Sequence, residues 1–403
     1  MISTKGNRPV RVAFDSSALK SRYRNHGIQV YARNLLDSLR DAAPRHDMEI
    51  RPFVSGRVDP DSVALDAGPN FHPRKTSLLQ FDRLWRYGGA TTAAFLDGAD
   101  VMLNPNGASL PISILLPTVT TIHDLTPMVM PCFSRSTAFL LKFLLSRSAK
   151  VSAAIITVSE HSKRDIVRIC GVPSSKVHVV YEGYDRALFN DAKPDTDSHQ
   201  ALLARLGITR PYILHHGAIQ PRKNLVRLIA AYRQMLSRNR KLDFDLVLAG
   251  PLAWQFEETV AAARENADSG GSVILAGALT DQDLSLLLRG ATLAVVPSLY
   301  EGFCLPMVEA MACGIPTIAA NSSCLPEISG GVLHYFDPYS VEELSSCMQE
   351  VLQSYGLRDE LSIRGKERVQ RFSWKRCAEE TLGIVEQVVR AAPVKARTAR
   401  AAL

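Results

Sequence analysis

The 403-residue chain is long enough for two domains with full cores, and 46% hydrophobic content with near-zero mean hydropathy matches globular proteins. Seven cysteines, an odd number with no CxxC pair, argue against a disulfide framework or a zinc site. The net charge of +7 is uneven: residues 1–190 carry 24 Lys/Arg against 16 Asp/Glu, a surplus of 8, and the remaining 23 against 24 leave −1. A basic first half suits an anionic partner, either nucleic acid or an anionic membrane surface. No RNA-binding aromatic signature, zinc-finger spacing or dense basic run supports nucleic acid, so none is expected. Met1 to Arg11 is polar and basic without an apolar core region, which makes the expected compartment cytoplasmic.

Val10–Asp15 reads as a first strand, leading into a loop with Arg22, Arg24, Asn25 and His26. Gly27 then opens a helix, Ile28–Leu39, with Ile28, Tyr31, Leu35 and Leu39 at helical spacing. A glycine there is either a plain turn residue or a point where a phosphate or sugar approaches the backbone. No GxGxxG or Walker A sequence occurs, which removes the main support for dinucleotide and P-loop readings. Residues 51–75 are mixed, strand plus loop.

Asp100–Leu103 and Pro117–Ile122 read as strands. The latter ends in His123-Asp124, where an open parallel sheet presents ligands. Thr137–Lys150 reads as a helix with Lys142, Ser146 and Lys150 four apart, and it either lies on a membrane surface or simply covers a sheet. Ala153–Val158 and Val177–Tyr181 complete this half, with Ser159 as a helix N-cap between them.

Asp191–Gln200 is polar, contains proline and lacks periodicity, so the segment 191–206 is expected to link two domains. Beyond it Tyr212–His216, Phe244–Ala249, Val273–Ala276, Ala291–Pro297 and Thr317–Ala320 are expected strands separated by helices. Two alternating halves predict an α/β chain of two doubly wound, Rossmann-like domains, 1–190 and 207–372, facing across a cleft. Residues 373–392 are expected as a C-terminal helix and 393–403 as a disordered basic tail.

Gly217 is followed by Pro221-Arg222-Lys223-Asn224, which opens the expected helix Asn224–Leu236. Two cations at a helix start oppose the macrodipole preference. A diphosphate would reverse that conflict, because cations and helix amides would then face one dianionic group. Of the Asp-x-Asp triplets, Asp59/Asp61, Asp195/Asp197, Asp243/Asp245 and Asp281/Asp283, none is expected to hold a metal.

Glu301 and Glu309 lie within the most informative stretch, Ser298–Gly314. Pro306 suits the start of a helix and Gly314 its stop. Glu301 precedes that start, so its loop can bring both carboxylates round one helix N-terminus, beside the amides of Gly302, Phe303, Cys304 and Leu305. Acceptor carboxylates beside donor amides suit a polyhydroxyl ligand carrying a phosphate. The plain alternative is a capping carboxylate and a solvated helix residue.

Together these stretches resemble the family-four retaining glycosyltransferases of the GT-B fold, closest in pattern to mannosyltransferases of polysaccharide or lipid-linked glycan assembly. The matching pieces are the Gly27 loop with Tyr31-Ala32-Arg33-Asn34-Leu35, Thr121-Ile122-His123-Asp124, Thr157-Val158-Ser159, Tyr181-Glu182-Gly183, Gly217 with Pro221-Arg222-Lys223-Asn224, Glu301-x7-Glu309, and Pro326-Glu327-Ile328. The resemblance implies a nucleotide-sugar donor, GDP-mannose before UDP-glucose or dTDP-rhamnose, a glycan or lipid-linked acceptor, and no metal or other cofactor. It implies that Glu309 accepts from the ribose diol, Glu301 faces the donor sugar, and Arg222 and Lys223 bind the diphosphate. Gly27 and Gly217 would approach the donor closely, His123 would contact the transferred sugar, and Gly277, Ala278 and Leu279 would touch the base. It also implies that the final helix crosses back onto the first domain, and it admits peripheral membrane contact. Many members carry Arg directly after the glycine matched by Gly217; here Ala218 stands there, which leaves more of the diphosphate charge to Arg222. A non-catalytic nucleotide-sugar-binding protein is the reading from another functional class.

Overall fold

A computed structural model describes residues 8–19, 27–54, 70–75, 85–107, 115–131, 134–265 and 270–391. The loop with Arg22, Arg24, Asn25 and His26, the Asp59/Asp61 pair and the basic tail lie outside the described residues. The chain divides into two compact units, one of Met1–Met128, Arg135–Gly183 and Ser373–Leu403, the other of Val129–Ser134 and Tyr184–Phe372.

The first unit is built on seven parallel strands: β1 (Val10–Asp15), β2 (Met48–Val54), β3 (Arg74–Lys75), β4 (Val101–Asn104), β5 (Thr118–Thr121), β6 (Ala154–Thr157) and β7 (Val177–Val179). Their order across the sheet is β3-β2-β1-β4-β5-β6-β7. Register is set by buried apolar rows, as where Val12 faces Val101 and Val119 faces Ala154. β4, β5 and β6 are buried at every residue, which a parallel sheet covered on both faces requires.

Helix α1 (Gly27–Ala42) buries Tyr31, Leu35 and Leu39 of the expected stripe, together with Ala32 and Leu36, whereas Ile28 in its first turn is exposed. Helix α2 (Arg135–Val151) buries only Leu144, Leu145, Ser148 and Ala149, in its second half. Leu145 and Ala149 join the core beside Ile155 and Ile166. Phe139, Leu140 and Phe143 of its first half are exposed.

The second unit has six parallel strands: β8 (Tyr212–His216), β9 (Asp245–Ala249), β10 (Val273–Gly277), β11 (Leu293–Val296), β12 (Thr317–Ala320) and β13 (His334–Phe336). Their order is β10-β9-β8-β11-β12-β13. The segment 191–206, expected as a linker, carries the helix Thr196–Leu206, because Asp195 caps it by accepting from the Ser198 amide. Asp245 is likewise structural, since its carboxylate takes Arg210 and the Ser272 amide.

Helix α3 (Leu225–Arg238) follows β8, and α4 (Leu305–Ala312) follows β11. In both sheets the chain reverses its winding direction between two central strands, β1/β4 and β8/β11. Their carboxyl ends are where an open parallel sheet leaves a crevice for a ligand. The last helix, α5 (Trp374–Ala391), belongs to the first unit, packs mainly on α1, and buries Trp374, Cys377, Ala378, Thr381, Leu382 and Val385.

Candidate active site

In the second unit the two switch-point strands feed one cluster. The loop after β8 forms a short 3-10 turn, Pro221–Lys223, that places both cations ahead of α3. Asn224 closes that turn with a left-handed backbone (φ +60°), and its amide nitrogen ties it to the Pro297 and Pro338 carbonyls. The Leu299 amide donates to the Arg222 carbonyl at 2.8 Å, which pins the β8 loop to the β11 loop.

Glu301 lies before α4, as its position ahead of Pro306 predicts, and its amide donates to the Ser323 hydroxyl at 3.0 Å. Its Oε2 accepts from Arg222 Nη1 at 2.5 Å and its Oε1 from Lys223 Nζ at 2.6 Å. Burial alone would raise this carboxyl's pKa. The adjacent Arg222 and Lys223 more than reverse that and hold it at about 2. Two cations against one carboxylate leave one positive charge in excess.

His215, just behind, does not add to that charge. Burial and the neighbouring Lys223 push its pKa down to about 3, and Nδ1 lies 3.0 Å from the Val295 carbonyl, so that nitrogen carries the proton. Its Nε2 is buried without a hydrogen-bond partner among the described residues.

Glu309 occupies the second turn of α4, and its Oε2 lies 3.0 Å from His216 Nε2. Cys304, left-handed at φ +72°, turns the chain into the helix, and Pro306 is its second residue. Among the described residues no protein acceptor is found for the amides of Gly302, Cys304 and Leu305. These amides and the surplus positive charge make the cluster suited to an anion with hydroxyl groups beside it. Phe303 is buried against Phe372, ring centroids 5.2 Å apart.

Gly217 has φ +132°, and a Cβ there would lie 3.4 Å from Lys223 Nζ. Gly277 ends β10 at φ +69° and accepts from the Gly250 amide at 2.8 Å; Ala278 beyond it is exposed and Leu279 half-buried.

In the first unit His123 follows β5. Its Nε2 lies 3.1 Å from the Pro105 carbonyl and its Nδ1 3.3 Å from Glu182 Oε1. The Tyr31 ring meets it edge to face at 4.5 Å, with the Tyr31 hydroxyl against Thr121. Gly27 is the exposed first residue of α1, and among the described residues nothing lies within 4 Å of a Cβ built on it.

Two participants are not marked by the sequence. His216 stands at the carboxyl end of a strand, the signal that marks His123, and could be found by it. Gly250 could not, since its role is a close approach between distant segments, and Asn224 is read there only as the start of a helix, without its left-handed backbone.

The sequence pattern of the family Glycosyl transferases group 1 matches residues 202–368, and that of Glycosyltransferase Family 4 matches residues 25–188. The chain is 29% identical over 267 residues to an O-antigen chain mannosyltransferase B of Escherichia coli, covering 66% of this chain and 68% of that one. It is 28% identical over 264 residues to a serotype-specific mannosyltransferase WbdA of Escherichia coli, covering 65% of this chain; it spans about a third of that relative's length, 32%. The solved structure of Anabaena Alr3699/HepE in complex with UDP and glucose superposes with a TM-score of 0.68, at 16% identity, over 94% of this chain and 99% of that one. That likeness establishes the GT-B fold.

Proposed function

Because the chain belongs to the group 1 and family 4 glycosyltransferases, we propose that it moves a hexose, most simply mannose from GDP-mannose, with retention and without a metal, onto a glycan or lipid-linked acceptor. The carrying observation is Glu301 held between Arg222 and Lys223 at the β8/β11 switch point. The similarity to two mannosyltransferases favours the mannosyl donor.

The charge arithmetic suits the chemistry. A departing nucleoside diphosphate develops negative charge, and preformed cations and amides stabilise it without reorganising. In the retaining step the bond from the anomeric carbon to the phosphate oxygen breaks as the acceptor hydroxyl oxygen attacks from the same face. The hydroxyl proton passes to that departing phosphate oxygen, so no separate protein base is needed. Glu301 keeps lone pairs beyond those used by the cations, with which it can accept from sugar hydroxyls. Glu309, oriented by His216, would take the ribose diol, and the segment from Gly277 to Leu279 would meet the base. The net positive charge left by the two cations would serve the role that a metal ion has in metal-dependent transferases.

A UDP-sugar donor is the second reading, favoured by the UDP complex of the Anabaena structure. A thermal-shift panel separates the two. GDP-mannose at 100 times its Kd should stabilise the fold by about 2.7 kcal/mol, with no shift from UDP-glucose or dTDP-rhamnose. A shift with UDP-glucose alone would replace the mannosyl reading. A shift without any donor hydrolysis would favour a non-catalytic binder.

We place the reaction at the cytoplasmic face of a membrane. Among the described residues no helix is long and apolar enough to cross one. Phe139 and Phe143 of α2, 75% and 53% exposed, instead form a stripe with Leu140, rimmed by Arg135, Lys142 and Arg147. Residues 125–159 contain no Asp or Glu. An apolar stripe edged by cations suits an anionic headgroup layer. The full chain should therefore sediment with phosphatidylcholine vesicles containing phosphatidylglycerol and release at high salt. Phe139→Ser with Phe143→Ser should weaken this about tenfold or more, since burying each Phe contributes about 1.5–3 kcal/mol. Equal binding of the double variant would remove α2 from the contact.

A further inference from the structure

We propose that Glu182 is a positioning residue which, with the Pro105 carbonyl, holds His123 as a doubly protonated imidazolium in one fixed ring orientation. The inference deepens the role that the family resemblance implies for His123, contact with the transferred sugar, and rests on it for its functional consequence.

A carbonyl oxygen has no proton to give, so His123 Nε2, 3.1 Å from Pro105 O, is the donor of that bond. At 3.3 Å, Nδ1 faces a carboxylate oxygen of Glu182, and a bond there requires one more proton between the two. Glu182 is 5% exposed, and His123 is the basic side chain within ion-pair distance of it among the described residues. A buried carboxylate without a cation is costly, so the proton stays with the ring and the pair is an imidazolium carboxylate.

The surroundings point the same way. Burial alone would lower the His123 pKa. The Glu182 hydrogen bond and charge, then the Pro105 carbonyl and Asp124, outweigh it and raise it above the ordinary value. The other titratable neighbours among the described residues add no charge. Burial pushes the Tyr31 phenol of α1 and the Cys377 thiol of α5 far up, so both remain neutral.

The orientation is enforced from the chain ends. Gly183, next to Glu182, has no space for a side chain: a Cβ would lie 2.1 Å from the Trp374 amide nitrogen. The Trp374 ring also meets the Tyr31 ring at 5.9 Å. The first turn of α5 thus clamps the segment that carries Glu182, and Tyr31 backs the imidazole. With both N–H groups used by the protein, His123 meets a donor sugar or phosphate through its charge and polarised C–H edge, not through an N–H bond.

The sign of the pH effect follows. A raised histidine pKa means that the ion pair is complete below about pH 6.5 and is lost as pH rises through the raised midpoint. The test is a ring-nitrogen NMR titration of the full chain labelled in histidine, with His123 assigned by the signal missing from His123→Gln. In the wild type, both nitrogens should be protonated at pH 6.5, with a midpoint above it. Glu182→Gln should lower that midpoint by about one unit or more, and Glu182→Asp should restore part of it. The alkaline limb of GDP-mannose hydrolysis should move with the NMR midpoint. A neutral His123 in the wild type at pH 6.5, or an unchanged midpoint in Glu182→Gln, overturns the proposal without needing any activity. A midpoint that falls while the activity profile stays put keeps the pairing and removes His123 from the reaction.

Discussion

Arg222→Ala should lower turnover by about 10²–10³-fold, the cost of losing one group that stabilises leaving-group charge. Its effect on stability should be the smaller one. The Arg222 side chain is 19% exposed, and Lys223 still meets Glu301 after it is gone. Lys223→Ala should behave differently, because that side chain is 4% exposed and its removal strips a buried carboxylate of its deepest partner. Breaking a buried pair from one side costs about 3–5 kcal/mol, so here folding should fail along with turnover.

Acid sensitivity gives a second readout. A carboxyl held at about 2 contributes stability that is complete above its ordinary 4.5 and is lost as pH falls towards 2. With Arg222 removed, Glu301 should protonate at higher pH, and acid unfolding should start earlier. Urea unfolding and donor hydrolysis measured on both variants check this. Equal loss of stability and turnover in Arg222→Ala would count against a catalytic role.

Gly250→Ala should be the most damaging conservative change in the second unit. Gly250 has φ +153°, and a Cβ there would lie 2.0 Å from the Gly217 carbonyl oxygen. The obstacle is backbone, so no side chain can swing aside. The ends of β8 and β9 would have to separate, disturbing the Gly217 amide bond to Ala249 (2.9 Å) and the Gly250 amide bond to Gly277 (2.8 Å). Overpacking strain plus a disfavoured backbone angle predicts a loss of about 3 kcal/mol or more. Gly27→Ala, with open space at its Cβ, is the control. Chemical denaturation of both variants tests the contrast, and similar midpoints would show that the crossing yields more easily than its geometry implies.

The separate reading of these residues follows from where information resides along a chain. Buried parallel strands such as Ala154–Thr157 and Leu293–Val296 announce themselves as short apolar runs, because both faces are covered and no polar alternation is needed. His334–Phe336 and Arg74–Lys75 did not, being edge strands of three and two residues. Asp191–Gln200 looked like a linker because its apolar content is low. An Asp195 cap and a buried Leu202 were enough to make residues 196–206 helical.

By itself the sequence determined two things. The alternation of apolar runs and amphipathic stretches set two parallel-stranded units, and Gly217, Arg222, Lys223, Glu301 and Glu309 marked the segments that follow strands β8 and β11. Both depend on neighbours within a few residues, which is the range over which spacing speaks. Only the tertiary structure decided that Glu301 pairs with both cations, that His216 meets Glu309, and that Glu182 faces His123. Those pairs lie 78, 93 and 59 residues apart or more in sequence. Their energies arise from desolvation and Coulomb attraction at about 3 Å, quantities that exist only once the sheets have brought the loops together.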